Sequence, residues 1–177
     1  EWNVVLVLDA SNDTERKYTW GLDLSRTVHG SGGIGGLLAT EETGTQGSPE
    51  YWFFHDANGN IGQLLNADDH TLAAHYEYDP YGNVVISSDA DSSGYVNVNP
   101  IRFSTKWFDT ELSGATVDGA VGQAGLGYWG YRYHSPRLGR WLSRDPVLDE
   151  EISRSWTVLP DRLSLLAEMH KLSSLYS

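Results

Sequence analysis

Large apolar and polar positions alternate over short stretches of this chain, and turn residues interrupt them at spacings of roughly 8–12 or 20 residues. Tyr51-Trp52-Phe53-Phe54 and Tyr76-Glu77-Tyr78 read as strands with bulky faces, and Ile61-Gly62-Gln63-Leu64-Leu65 and Val84-Val85-Ile86 as the strands that follow them. The connections repeat. His55-Asp56-Ala57-Asn58-Gly59-Asn60-Ile61 aligns with Tyr78-Asp79-Pro80-Tyr81-Gly82-Asn83-Val84 at an offset of 23 residues. In each unit the Asp can bond the turn backbone while the Gly takes the positive φ the turn needs. A second similarity, at an offset of 57, sets Leu8-Asp9-Ala10 and Thr14 against Leu65-Asn66-Ala67 and Thr71, and predicts hairpin turns at 9–13 and 66–70. A lone hairpin cannot bury such rings, so successive hairpins must stack side by side. The prediction is an all-β train of antiparallel hairpins forming an extended sheet.

Two stretches break this rhythm. Gly30, Gly32, Gly33, Gly35 and Gly36 surround Ile34 before Leu37-Leu38-Ala39, and 40–50 is rich in Thr, Glu and Gly. The first lacks the Lys-Ser/Thr and spacing of a phosphate loop, so it is expected to be a flexible or bulged crossing, with 40–50 a surface loop. Near the end, Leu159, Leu163, Leu166, Met169/His170, Leu172 and Tyr176 recur at helical spacing after Pro160-Asp161. A helix is expected there, and nowhere earlier.

Composition narrows the chemistry. Seven Trp, ten Tyr, four Phe and 19 Gly among 177 residues suit strands and turns. Twenty-four acidic against twelve basic residues give a net charge of −12, which argues against a nucleic-acid surface. The imbalance is local: residues 1–101 hold 15 acids and 3 bases, whereas 102–146 hold 4 acids and 6 bases. With no Cys, disulfides, thiolate catalysis and Cys-bound zinc are absent. No apolar run reaches the ~20 residues of a membrane-spanning helix, and no signal peptide is recognisable. A start at Glu1 and a single Met, Met169, lead us to expect a piece of something longer.

The Asp-x-x-Gly-Asn units occur together with Asn99-Pro100-Ile101-Arg102-Phe103-Ser104 and with a long run from Gly127 to Pro146. That run contains Tyr131-Arg132-Tyr133-His134-Ser135-Pro136-Arg137-Leu138-Gly139-Arg140-Trp141 and ends on Arg144-Asp145-Pro146. In these features the chain resembles the RHS/YD-repeat proteins over residues 1 to about 148, and in particular their RHS repeat-associated core. The opening Trp2-Asn3-Val4-Val5 and the Gly33–Leu38 string are similar to what precedes that core in bacterial members. The resemblance implies YD-repeat hairpins over 1–98, the core over 99–148 and a variable tail over 149–177. It implies a spiralling β-sheet shell belonging to a bacterial polymorphic toxin or adhesion protein, secreted or at the cell surface, that holds or presents a C-terminal effector. The partners implied are the rest of the shell and that effector. Residues carrying the motif are Asp56, Gly59, Asn60, Asp79, Gly82, Asn83, Arg102, Tyr131, Arg132, Tyr133, Gly139, Arg140, Trp141, Asp145 and Pro146.

Family members also self-cleave after the core, through aspartates in Asp-Pro-x-Gly pairs with a nearby Arg. Here Asp145 and Arg140 are the matching candidates, but Leu148 stands where the Gly would be and no second Asp-Pro follows. An aspartate dyad needs two close carboxyls, so an enzyme is not expected. Residues 112–124 are a small-residue insertion relative to the family pattern.

Other site readings have plain alternatives. Asp89-Ala90-Asp91-Ser92-Ser93-Gly94 opens like a calcium loop but has Pro100 at position 12, so a polar hairpin turn is expected. His29, His55, His70, His75, His134 and His170 lack metal-ligand spacing. No metal or other cofactor is expected. The Arg residues interleaved with Tyr131, Tyr133 and Trp141 are expected to pair with carboxylates and stack on rings inside the fold, with Arg140 locking the core. A rival function, binding of a glycan or other cell-surface partner, requires Trp52, Trp107 and Trp129 to be exposed in a row. Either sheet edge would invite pairing with another copy.

Overall fold

The computed structural model describes residues 3–43, 47–111 and 125–146. Seven strands form one antiparallel sheet in which every strand lies beside its neighbours in sequence. They are β1 (Leu6–Leu8), β2 (Thr14–Trp20), β3 (Leu37–Glu42), β4 (Glu50–His55), β5 (Ile61–Asn66), β6 (Leu72–Tyr78) and β7 (Val84–Ser88). The period of two separates their faces. On β4, Tyr51 and Phe53 are buried while Trp52 and Phe54 are exposed. The cross-strand partners Thr40, Leu64 and Ala74 continue the covered face, and Tyr76, two positions along β6 from Ala74, extends it. In five of the six strand pairings the register shifts at one step. Such irregularities bend the strands and add twist.

The buried face is roofed by the chain that follows the sheet. A four-residue helix, α1 (Tyr95–Val98), lays Tyr95 and Val96 on Tyr51, Phe53 and Tyr76, and Ile101 completes the cluster. The rings of Tyr51 and Tyr95 stack at 3.8 Å. After a 3₁₀ turn, Phe103–Thr105, the second sheet forms from β8 (Trp107–Asp109), β9 (Leu126–Tyr128), β10 (Tyr133–Ser135) and β11 (Arg140–Trp141), in the order β11-β10-β9-β8. Residues 1–142 are one compact unit, and a second begins at Ser143 and is described only as far as Pro146. The expected helix near 160–176 and the insertion at 112–124 lie outside the described residues.

Three expectations need correction. The expected surface loop at 40–50 is shorter, because Thr40–Glu42 complete β3, where Thr40 and Glu42 are 1% and 4% exposed, and Glu50 opens β4. Glu42 tolerates burial because Arg16 Nε donates to its Oε2 at 2.7 Å and Tyr95 Oη donates to its Oε1 at 2.6 Å. The glycine-rich crossing is a built turn. The Asp23 carboxylate accepts bonds from the backbone N–H groups of Ser25, Ser31 and Gly33 and from the Ser25 hydroxyl. Burial opposes ionisation there, but these donors prevail and pull the carboxyl pKa down to about 2. Finally, Asp89 accepts the Gly94 N–H at 2.9 Å and leads into α1 in place of a hairpin. One turn of helix is too short to leave a periodic signal.

Candidate functional site

The repeated motif builds the same turn twice. Asp56 Oδ1 accepts the N–H groups of Asn58 and Asn60 at 2.8 and 2.9 Å, and its Oδ2 accepts Asn60 Nδ2 at 2.7 Å. Asp79 does the same with Tyr81 N, Asn83 N and Asn83 Nδ2 at 2.8, 3.0 and 2.7 Å. Gly59 and Gly82 hold φ of 77° and 89°, the region where a side chain is disfavoured. Both carboxyls sit below the ordinary aspartate range: burial resists this, but the bonds from the turn outweigh it. A third copy, Asp9–Asp13, is less visible in sequence. Asp9 Oδ1 accepts Ser11 N and Asp13 N at 2.8 and 2.9 Å, and Asn12 takes the glycine's place at φ 65°.

The turns are tied down by the segment from Asn99 to Lys106. Asn60 Oδ1 accepts Ser104 N at 2.9 Å. Thr105 Oγ1 donates to the Gly59 carbonyl at 2.7 Å and accepts Gly35 N at 2.8 Å, joining the glycine crossing to the Asp56 turn. Ser104 and Thr105 have φ of 51° and 53°, a costly conformation for a β-branched residue. These bonds hold it in place. Phe103 lies so close to Gly82 that a Cβ there would come within 2.7 Å of its ring. Further on, Asn83 Nδ2 donates to the Pro136 carbonyl at 3.1 Å, and Gly139 packs on Tyr81. The motif Asn residues thus bond their own turn and also the chain that crosses it.

Arg102 enters the interior, at 7% exposure. Its Nε donates to the Asn99 carbonyl at 3.1 Å and one terminal nitrogen to that of Asn97 at 3.4 Å. The guanidinium also lies 5.4 and 5.3 Å from the ring centroids of Tyr76 and Phe108. Asn99 is itself buried and braces the Ile101 backbone through both side-chain atoms.

The Arg-rich run is arranged differently from expectation. Arg132 stacks over Trp141 at 4.1 Å, and Trp141 meets Trp129 and His134 edge-on. Tyr133 packs on Tyr128 at 5.1 Å, whereas Tyr131 is 73% exposed. Arg137 and Arg140 are also exposed, so Arg140 does not lock the core. Asp145 and Pro146 are assigned to the second unit and Arg140 to the first. The three Trp of the glycan reading do not form a row. Trp52 is on the open face of β4, stacked with His70, while Trp107 and Trp129 are half-buried at the second sheet.

Thr105 escaped the sequence reading, whereas the turn at 9–13 was expected from the 57-residue similarity and only its likeness to the Asp56 and Asp79 turns was missed. Thr105 carries no signal beyond its place after the Asn99–Ser104 string. The likeness of the Asp9 turn is hidden in the sequence because Asn12 stands where the motif has Gly.

No family model matches the chain. Among curated proteins it is 29% identical over 144 residues to the tRNA3(Ser)-specific nuclease WapA of Bacillus spizizenii, an alignment covering 81% of this chain and 5% of that protein. It matches the tRNA nuclease WapA of Bacillus subtilis with the same identity and coverage. Among solved structures it resembles the TcdB2-TccC3-TEV crystal structure at 22% identity and a TM-score of 0.52, covering 80% of this chain and 6% of that one. The TcdB2-TccC3-Cdc42 structure gives 21% identity and a TM-score of 0.51 at the same coverage. The chain is similar to RHS/YD-repeat proteins over about four-fifths of its length and shares their fold. It spans about one-twentieth of the length of the curated relatives it matches. The Asp-x-x-Gly-Asn units are hairpin turns of the sheet, and the Asn99–Lys106 stretch is a strap that crosses them.

Proposed function

We propose that this chain is a wall and closing segment of an RHS-type toxin's β-shell, secreted or displayed at the cell surface, which holds or presents a C-terminal effector. In this reading residues 1–98 are repeat hairpins, 99–148 the RHS-associated core, and 149–177 the start of the variable region. The observation that carries the proposal is the strap. One short segment, Asn99–Lys106, bonds the Asp56 turn and the glycine crossing while its Arg102 and Ile101 cover the apolar sheet face. A segment so anchored would close a repeat array. The sheet itself has a continuous backbone hydrogen-bond ladder, which suits a barrier.

The test is limited proteolysis of the parent protein with an epitope tag placed after residue 149. The tag is expected to resist a protease that digests the isolated tagged tail, and an Asn60→Ala/Arg102→Ala double variant is expected to lose that protection. Equal digestion of the tag in the parent protein and in the isolated tail would refute the holding role.

A further inference from the structure

A cleft of about 550 Å³ opens where the start of the first sheet meets the second, a volume within the usual range for small-ligand sites. Its walls are Trp20, Trp107, Trp129, Tyr128 and Tyr131, and Lys106 is its cation. The polar ends of two of these rings are already engaged: Trp20 Nε1 donates to the Val4 carbonyl at 2.8 Å and Tyr128 Oη to that of Gly130 at 2.7 Å. These two rings offer a ligand their flat faces.

Lys106 Nζ donates to the Gly32 carbonyl at 2.5 Å and lies 5.6 Å from the Trp129 centroid. An ammonium has three protons to give. The nearby Asp23 carboxylate is engaged by Ser25, Ser31 and Gly33. Burial weakens the charged form of Lys106, with Asp23 opposing that effect. A partly dehydrated cation beside indole faces attracts an anion more strongly than a surface lysine does.

We propose that this cleft binds a small aromatic carboxylate, its ring against the indoles and its carboxylate on Lys106. A sugar fits less well. Thr105 Oγ1 already bridges Gly35 and Gly59, the Asn3 amide nitrogen lies 3.3 Å from His29 Nδ1, and no carboxylate lines the cleft among the described residues to accept from ring hydroxyls. A cationic ligand would meet Lys106 directly. This assignment does not depend on the shell reading.

The probe is 8-anilinonaphthalene-1-sulfonate, whose emission rises in dry aromatic sites, displaced from the 177-residue chain by competitors. Phenylacetate is expected to displace it at concentrations at least tenfold below phenylacetamide. Lys106→Gln should erase that preference, Lys106→Arg should keep it, and Trp129→Ala should weaken both competitors. A Phe54→Ala control on the open sheet face should change nothing, and circular dichroism verifies that each variant is folded. Equal displacement by acid and amide, a preference that survives Lys106→Gln, or stronger competition by glucuronate than by phenylacetate would overturn the proposal. So would a probe signal that follows Phe54. Should both Lys106 variants fail to fold, the acid–amide comparison on the unaltered chain decides the matter alone.

Discussion

Gly59 and Gly94 share a backbone conformation, with φ of 77° and 79°, but not an environment. Around Gly94 a new Cβ would meet nothing within 4 Å. Gly94→Ala therefore carries only left-handed strain, about 1–2 kcal/mol, less the ~0.4–1 kcal/mol regained by restricting the unfolded chain. A net loss of about 1 kcal/mol is expected. At Gly59 the same methyl would lie 2.5 Å from Ile34 Cγ2, 2.9 Å from Gly35 N and 3.2 Å from Gly35 Cα. Ile34 can rotate, but the Gly35 backbone is held by Thr105. Overpacking of this kind adds about 1–3 kcal/mol, so Gly59→Ala is expected to cost about 2–4 kcal/mol. Urea unfolding measures both. With a slope of about 1–3 kcal/mol/M, the midpoint should fall by about 1–2 M for Gly59→Ala and by roughly 0.5 M for Gly94→Ala. Equal shifts would show that the contact between the Asp56 turn and the glycine crossing contributes nothing, and the strap argument would fail with it.

Arg102→Ala removes a buried guanidinium from two rings and leaves two carbonyls unsatisfied, and should cost about 2–4 kcal/mol. Arg102→Met, which keeps the bulk and removes the charge, should cost under half of that; equal losses in urea titrations would deny the polar contacts any role. Arg140→Ala, at an exposed position, should change stability by less than about 0.5 kcal/mol, which differential scanning calorimetry can check. Acid should weaken the fold in two stages. Burial lowers the pKa of His55 and His134, so the folded form binds fewer protons than the unfolded one and stability falls as pH drops below about 6.5. Asp23, Asp56 and Asp79 are likewise depressed, so their contribution is complete above about pH 4 and is lost as pH falls toward 2. Stability that rises between pH 6 and 3 in urea titrations would contradict these assignments.

The strands and their order were legible because alternation and the Asp-x-x-Gly-Asn turn are local devices. An aspartate that caps its own turn needs no distant partner, so Asp56 and Asp79 announce themselves. The 57-residue similarity marked the turns at 9–13 and 66–70 for the same reason. The misread segments are those whose state depends on residues far away. Glu42 looks like a loop residue until Arg16, 26 positions earlier, and Tyr95, 53 positions later, neutralise and cover it. The glycine crossing looks loose until the Asp23 carboxylate gathers its N–H groups. Arg102 and Arg140 are the same residue type in similar aromatic company, and sequence alone gave no means of deciding which would be buried. That was decided by position in space. Arg102 sits under the roof of the sheet between Tyr76 and Phe108, where carbonyls can satisfy it, while Arg140 lies on β11, at the edge of the second sheet, where water does. Local hydrogen bonding and side-chain periodicity are written in the chain itself, whereas burial of charge is a property of what long-range packing brings beside it.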